Sequence, residues 1–342
     1  MSTHITSSFL TAAILVAACG TAQAAPKITE LAKGVYQNLY GIAVDASGVY
    51  VTGSTAAVRS FTVAPASGVI GAIPLAGGSV TTLYSTTNYA GSGHVAPLGL
   101  ATNGAGTLTW ADPDAGPSTG ASFFTGATTG GTPDQFFGIC CGPSVFPGDG
   151  IGVALSGGTT YFSDGTGGRV GYFAPGSTTP VQIGTTVYTP DFNTEAWAQT
   201  TVANKKVFLA ISGQARGDGG TSSVQVVYDI TATVTPTVSW IATNGVGGFH
   251  VLSTGTIPNP QGIVAVGKNL YVTCGNTIWV VNQGTGVAKV FVKSDKFLDL
   301  QGIAYYNGYL YVADSQNTYG AFVSGSATAT KDLPGVVWKV KQ

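Results

Sequence analysis

Charge is what this sequence has least of. Asp, Glu, Lys and Arg make up 8% of its 342 residues, against about a quarter in ordinary globular domains. The net charge is −1, with no run of basic residues. A nucleic-acid binder draws most of its affinity from cationic groups on phosphate, so that class is excluded. No apolar run of about 20 residues lies beyond the N-terminal region, so no internal membrane span is expected. Cysteine is scarce, with four residues and no CxxC or CxxCH, which removes zinc ribbons and c-type haem attachment. Histidine is scarcer still: His94 and His250 are the only ones beyond the leader.

Glycine, at 50 residues, and many β-branched residues take their place. That mixture favours short strands joined by tight turns. The first residues stand apart. The apolar stretch "SSFLTAAILVAAC" runs into "AQAAP", where Ala22 and Ala24 satisfy the small-x-small cleavage rule. This predicts a signal peptide over 1–24 and a mature domain over 25–342. Val16-Ala17-Ala18-Cys19 also has the form of a lipobox, which would make Cys19 a lipidated N-terminus. Both readings predict export to a bacterial periplasm, cell surface or medium. There disulfides are permitted among Cys140, Cys141 and Cys274. Three thiols cannot all pair within one chain.

The chain repeats itself. Gly262 is followed nine residues later by Tyr271 in "LYVTC", and Gly302 by Tyr311 in "LYVAD". Gly41 and Tyr50, and Gly152 and Tyr161, keep the same spacing. Gly99 leads to "LTWAD" with one extra residue, and Ala196 to "VFLAI" three residues late. Each of these six copies reads as strand, polar turn, strand, and several are followed by two more strands. The second strand alternates, as in Leu310 and Val312 against Tyr309 and Tyr311. Four short antiparallel strands per repeat predict an all-β, six-bladed β-propeller. The piece "ITELAKGVYQN" is expected to close the ring as the outer strand of the last blade.

The segments "QGIAYYNGYLYVADSQNTYG", "QGIVAVGKNLYVTCGNTIWVV" and "IGVALSGGTTYFSDGTGGRVGYF" resemble the NHL-repeat, SMP-30/gluconolactonase-like and streptogramin lyase-like propellers. The resemblance spans most of the mature chain. It is a likeness of fold, which does not by itself fix an activity.

Antiparallel order puts the residues just before each anchor at one mouth of the central channel. Three positions before the anchors stand Asn38, Ala96, Asp149, Asn193, Asn259 and Asp299. One position before stand Tyr40, Leu98, Ile151, Glu195, Gln261 and Gln301. Oxygen donors of this kind suit Ca²⁺ or Mg²⁺. The resemblance to SMP-30-like enzymes implies a Glu/Asn/Asp metal set at this end, which Asp149, Asn193, Glu195, Asn259 and Asp299 would supply. The other reading is that these groups cap strand ends and bind channel water. Asn38, Tyr40, Gln261 and Gln301 complete the mouth. Asp112, Asp164 and Asp314 share one repeat column, where recurrence points to a scaffold role such as an Asx turn.

His94 in "GSGHVAP" and His250 in "GGFHVLS" are candidate general acids or bases. Glu195 is a third candidate. "GPSTG" matches a nucleophile-elbow pattern, but in a Pro/Gly loop. "RGD" at Arg216–Asp218 is too short to carry weight. Paired Cys140 and Cys141 in "FFGICCGPSVFPGDG" would form a rigid plate if they join as a vicinal disulfide. Two functional classes stay open. One is a module binding a small molecule or a surface protein. The other is a divalent-metal-dependent lactonase- or lyase-like enzyme. A tethered subunit of an extracellular assembly is a third expectation.

Overall fold

The structure is a computed structural model describing residues 25–55, 68–86, 97–112, 122–138, 150–164, 169–185, 197–204, 206–212, 223–227, 249–254, 257–258, 260–316 and 333–342. Among these residues lie 24 strands in six four-stranded antiparallel sheets. The opening strand β1 (Ile28–Val35) joins the last sheet. Sheet one runs β2 (Asn38–Val44), β3 (Val49–Ser54), β4 (Gly68–Ile73), β5 (Thr81–Ser85). Sheet two is β6 (Leu100–Thr102), β7 (Thr107–Asp112), β8 (Ser122–Ala127) and β9 (Asp134–Gly138). Sheet three is β10 (Gly150–Ser156), β11 (Thr159–Asp164), β12 (Arg169–Phe173) and β13 (Pro180–Thr185). Sheet four is β14 (Trp197–Ala203), β15 (Lys206–Ser212), β16 (Ser223–Val227) and β17 (Phe249–Thr254). Sheet five is β18 (Ile263–Val266), β19 (Asn269–Cys274), β20 (Thr277–Asn282) and β21 (Ala288–Lys293). Sheet six is β22 (Leu300–Tyr306), β23 (Tyr309–Asp314), β24 (Gly335–Lys341) and, outermost, β1.

The first strands of the sheets neighbour one another in the order β2, β6, β10, β14, β18, β22 and back to β2. This is a β-propeller of four-stranded antiparallel blades. Its closure is the one expected from the sequence: β1 pairs with β24 from Ile28 opposite Val340 to Val35 opposite Gly335. The last sheet is thereby built from both ends of the described chain, with β1 covering the edge that β24 would otherwise present.

A single four-stranded sheet cannot shield its own apolar faces. The core therefore lies between sheets. Leu39, Val51, Tyr311 and Val337 pack between sheets six and one, and Ile278, Leu300, Leu310 and Trp338 between five and six. Similar clusters join the other neighbours; Trp110 and Tyr50 lie between sheets one and two. Burial falls outward along each sheet. Second strands such as β3, β7 and β23 are buried on both faces, while the outer strands β5, β9 and β21 carry exposed residues. The alternation expected for the second strand is thus one of residue type and not of exposure. Tyr311 is as enclosed as Leu310, because a neighbouring sheet covers each face.

The anchor glycines have a steric cause. A Cβ on Gly302 would lie 2.5 Å from the carbonyl oxygen of Tyr40 in sheet one. A Cβ on Gly262 would run into the Gln301 carbonyl, and one on Gly41 into that of Leu98. At these three places the inner strands approach backbone to backbone, and only glycine leaves room. The hairpins follow equally simple rules. Asn307 and Gly308, between paired Tyr306 and Tyr309, have φ of 47° and 79°, the left-handed pair that a two-residue hairpin requires.

Candidate functional site

The residues before the anchor glycines stand at the end of the ring opposite the hairpin turns between first and second strands. In sheet five, Gln261 donates its N–H to Thr273 carbonyl at 2.9 Å, fixing the start of the inner strand. Gln261, Gln301 and Tyr40 precede three glycines of consecutive sheets, and the carbonyls of the last two lie against the glycine of the sheet before. Asn38 and Gln261 are buried; Tyr40, Gln301 and Asp299 are half-buried.

Asp299 anchors the best-defined part of this mouth. Its Oδ2 accepts from Ser315 Oγ at 2.7 Å and from Gln301 Nε2 at 2.9 Å. Beneath it lies Asp314, wholly buried. Asp314 accepts from the backbone N–H groups of Leu298, Asp299 and Gln316 at 2.9–3.1 Å. It also accepts from Gln316 Nε2 at 2.6 Å and Trp338 Nε1 at 2.9 Å. Burial pushes the Asp299 carboxyl up to about 6, and the Asp314 carboxylate adds to the shift while the Ser315 and Gln301 hydrogen bonds oppose it. A carboxyl held in place and titrating near neutrality is a group that can accept hydrogen bonds from a bound molecule or donate one to it.

Asp314 and Asp164 have the scaffold role that the recurrence of their column implied. Gln316 N–H to Asp314 Oδ1 is an Asx turn closing the second strand. Asp164, also buried, takes both Nε and Nη2 of Arg169 at 2.9 and 2.7 Å. A second column was missed by sequence reasoning. Eleven residues after the anchor glycines of sheets one, three and five stand Thr52, Ser163 and Thr273. Each hydroxyl accepts from its own anchor N–H, Gly41, Gly152 and Gly262, at 2.7–2.9 Å. Thr52 then donates to the Leu98 carbonyl of sheet two at 3.1 Å, and Thr273 to the Gln301 carbonyl of sheet six. Ala111, Ala210 and Ala313 fill the same place in sheets two, four and six. The alternation of hydroxyl and alanine eleven or twelve residues after the anchor was the available signal.

Sheet four corrects one alignment. Gln199 pairs with Ala210 and Ala203 with Lys206 across the turn, as Val266 pairs with Asn269 in sheet five. The counterpart of Gly262 is Gln199, three residues beyond Ala196. Sheets one, three and six carry a bulge before their anchors and sheet four does not. Spacing alone cannot distinguish a missing bulge from a longer turn. The residue in the Asn38 and Asp299 column is therefore Trp197, opposite Ser212 as Asn38 is opposite Ser54.

Of the expected site residues, the structure brings together Asp299 and Gln301, with Gln261 and Tyr40 on the neighbouring sheets and Asn38 at the start of β2. Asp149, Asn193, Glu195, Asn259, His94, Cys140, Cys141 and Cys19 lie outside the described residues, and His250 is placed only as a backbone position in β17. Cys274 is buried between sheets four and five. Phe136 and Phe137, before the cysteine pair, pack on Phe173 of sheet three at 5.3 and 5.1 Å between ring centroids. Among the described residues, no three His, Cys, Asp or Glu side chains gather as metal ligands.

No family model matches the sequence, and no curated protein matches it. Solved structures do match. The PQQ-bound aldose sugar dehydrogenase of Streptomyces coelicolor aligns over 93% of this chain and 99% of its own, at 16% identity and a TM-score of 0.58. A putative oxidoreductase (glucose dehydrogenase) of Thermus thermophilus aligns over 92% and 99%, also at 16% and 0.58. A chain of a nidogen/laminin complex aligns over 73% and 83%, at 15% identity and 0.52. At such identities the likeness is one of fold. By its sheets, its closure and these likenesses, the chain is a β-propeller.

Proposed function

We propose that the six sheets are the six blades of one exported propeller that works as a binding module. It takes a polar small molecule or a surface protein at the mouth where the inner strands begin. The observation carrying this reading is the Asp299–Gln301–Ser315 network. Three polar side chains are fixed by one another beside Gln261 and Tyr40. Groups held in place before binding lose little freedom when a ligand arrives. Fold does not choose the ligand, since the likenesses include dehydrogenases as well as a laminin complex.

A second reading is supported by the raised Asp299 carboxyl: a divalent-metal-dependent lactonase- or lyase-like enzyme at the same mouth. In it Asp149, Asn193, Glu195, Asn259 and Asp299 hold Ca²⁺ or Mg²⁺, and His94 or His250 moves the proton.

Metal analysis and thermal melting of the purified chain separate the two. The binding-module reading expects no bound divalent ion, and a Tm that stays within about 1 °C on adding EDTA, Ca²⁺, Mg²⁺ or PQQ, since a ligand bound only by the folded state raises Tm. A stoichiometric ion whose removal lowers Tm, or a rise with Ca²⁺ or Mg²⁺, would replace it with the enzyme reading. A rise with PQQ would move the chain toward the chemistry of its dehydrogenase likenesses. Intact mass distinguishes a start at Ala25 from an acylated Cys19.

A further inference from the structure

The sequence has no basic run, but the fold makes a basic rim. Lys268 sits in the turn between β18 and β19, and Gln283 N–H to the Lys268 carbonyl at 3.0 Å brings the turn before Lys289 beside it. In sheet six, the C-terminal end of β24 reaches the β22–β23 turn, with Gln342 N–H on the Gly308 carbonyl at 3.1 Å. Lys341 N–H bonds the Lys27 carbonyl at 2.9 Å, so the entry to β1 lies there too. Gln342 Nε2 donates to Tyr271 OH at 2.8 Å and ties the two sheets together at this end. Lys27, Lys268, Lys289 and Lys341 are exposed. Lys339 and Lys341 lie over the Tyr309 ring at 4.3 and 5.1 Å, contacts that hold ammonium groups at the rim.

The side-chain carboxylates of these sheets are elsewhere. Among the described residues, Asp295, Asp299 and Asp314 stand at the opposite end, and Glu30 is within β1, opposite Trp338. Two further features share the basic rim. Val287 is 64% exposed and Val290 49%, flanking Lys289. Residues 25–27 enter β1 here, so Ala25 lies on this side. Cys19 lies eight positions before Lys27, a reach of at most about 28 Å.

We propose that this hairpin rim of sheets five and six docks on an anionic lipid surface. Lysines attract the headgroup phosphates, and the aliphatic side chains beside Lys289 enter the interfacial layer. The orientation suits a lipidated Cys19, whose acyl chains would enter the same surface, and it leaves the polar mouth facing away. It also suits the soluble form, which would then bind weakly and reversibly.

The test is co-sedimentation of the chain from Ala25 with vesicles of phosphatidylcholine alone or with 30% phosphatidylglycerol. All 24 strands lie between Ile28 and Lys341, so this chain holds the whole described fold. Binding is expected only with phosphatidylglycerol, and it should fall with rising NaCl. Replacing Lys27, Lys268, Lys289 and Lys341 by Gln should weaken it at least about tenfold, while Lys293→Gln with Lys296→Gln, at the other end, should leave it within about twofold. Should the fourfold variant fail to fold, the salt series on the native chain still decides. Binding that ignores phosphatidylglycerol or salt, or equal losses in both variants, would overturn the proposal. Binding to soluble alginate without binding to vesicles would overturn the lipid assignment.

Discussion

Sheets five and six have nearly the same inner hairpin, yet they fix the channel mouth differently. Sheet five ends its second strand in Thr273-Cys274, sheet six in Ala313-Asp314. Thr273 works between sheets, taking the Gly262 N–H and giving its own proton to the Gln301 carbonyl of sheet six. Cys274 adds apolar packing toward sheet four. Ala313 has no hydroxyl to reach sheet one. Asp314 instead works within sheet six, drawing the segment before β22, Gln316 beyond β23 and Trp338 of β24 onto one carboxylate. A repeat thus keeps its backbone while moving its polar adhesive between two adjacent positions.

The largest effect expected from this contrast is at Asp314. Removing its carboxylate leaves several buried N–H donors without an acceptor, each costly in a dry interior. Asp314→Ala should lower stability by about 3–5 kcal/mol in urea unfolding, and Trp338 fluorescence should shift as its indole loses its partner. Cys274→Ala, at the same repeat position, deletes only a small buried group and should lower it by about 1 kcal/mol. Equal losses at the two positions would show that the carboxylate is not the hub its geometry describes.

Thr273→Val comes next. The change keeps the shape and deletes the bridge, leaving the Gly262 N–H and the Gln301 carbonyl without it, and should lower stability by about 1–3 kcal/mol. Thr52→Val should behave alike, because Thr52 makes the equivalent bridge from sheet one to sheet two. The two sites share no partner, so the double variant should lose their sum within about 0.5 kcal/mol in the same urea series. A much smaller loss in the double variant would mean that these hydroxyl bridges add little to the hold between neighbouring sheets.

The parts of this molecule that obey local rules were legible in the sequence. Gly41, Gly262 and Gly302 announced inner strands because no other residue fits between two backbones there, and the Asn307-Gly308 turn announced its hairpin. The outer strand β1 was placed correctly because a ring must cover its edges. The sheet-four anchor was misplaced because a bulge and a longer turn leave the same spacing. The hydroxyl column escaped notice because Thr52, Ser163 and Thr273 look like ordinary strand residues until the next sheet is present. The basic rim escaped for a related reason: Lys27 and Lys341 are neighbours only once the ring is closed. At the mouth, spacing put Asp299 and Gln301 side by side, and the structure joins them by a hydrogen bond, but nothing in the sequence marked Ser315 as the third member.

The smallest expected effect sharpens the same contrast, since Asp299 is the group that Asp314 holds in place. Its folded carboxyl titrates at about 6 against a reference of 3.8. The folded state therefore binds this proton more tightly than the unfolded chain does. Stability from this group is fully present below about pH 4 and is lost as pH rises through about 6. Asp299 is half-buried, so solvent reduces the effect to about 1 kcal/mol. Other carboxylates titrate in the same range, and the comparison with Asp299→Asn removes them. Asn keeps an oxygen for Ser315 and Gln301 but carries no charge. In urea unfolding, the native chain should gain about 1 kcal/mol relative to Asp299→Asn between pH 7.5 and pH 4. A difference that stays flat across this range would mean the carboxyl is hydrated as an ordinary surface acid, and Asp299 would no longer be a group of the mouth poised near neutrality.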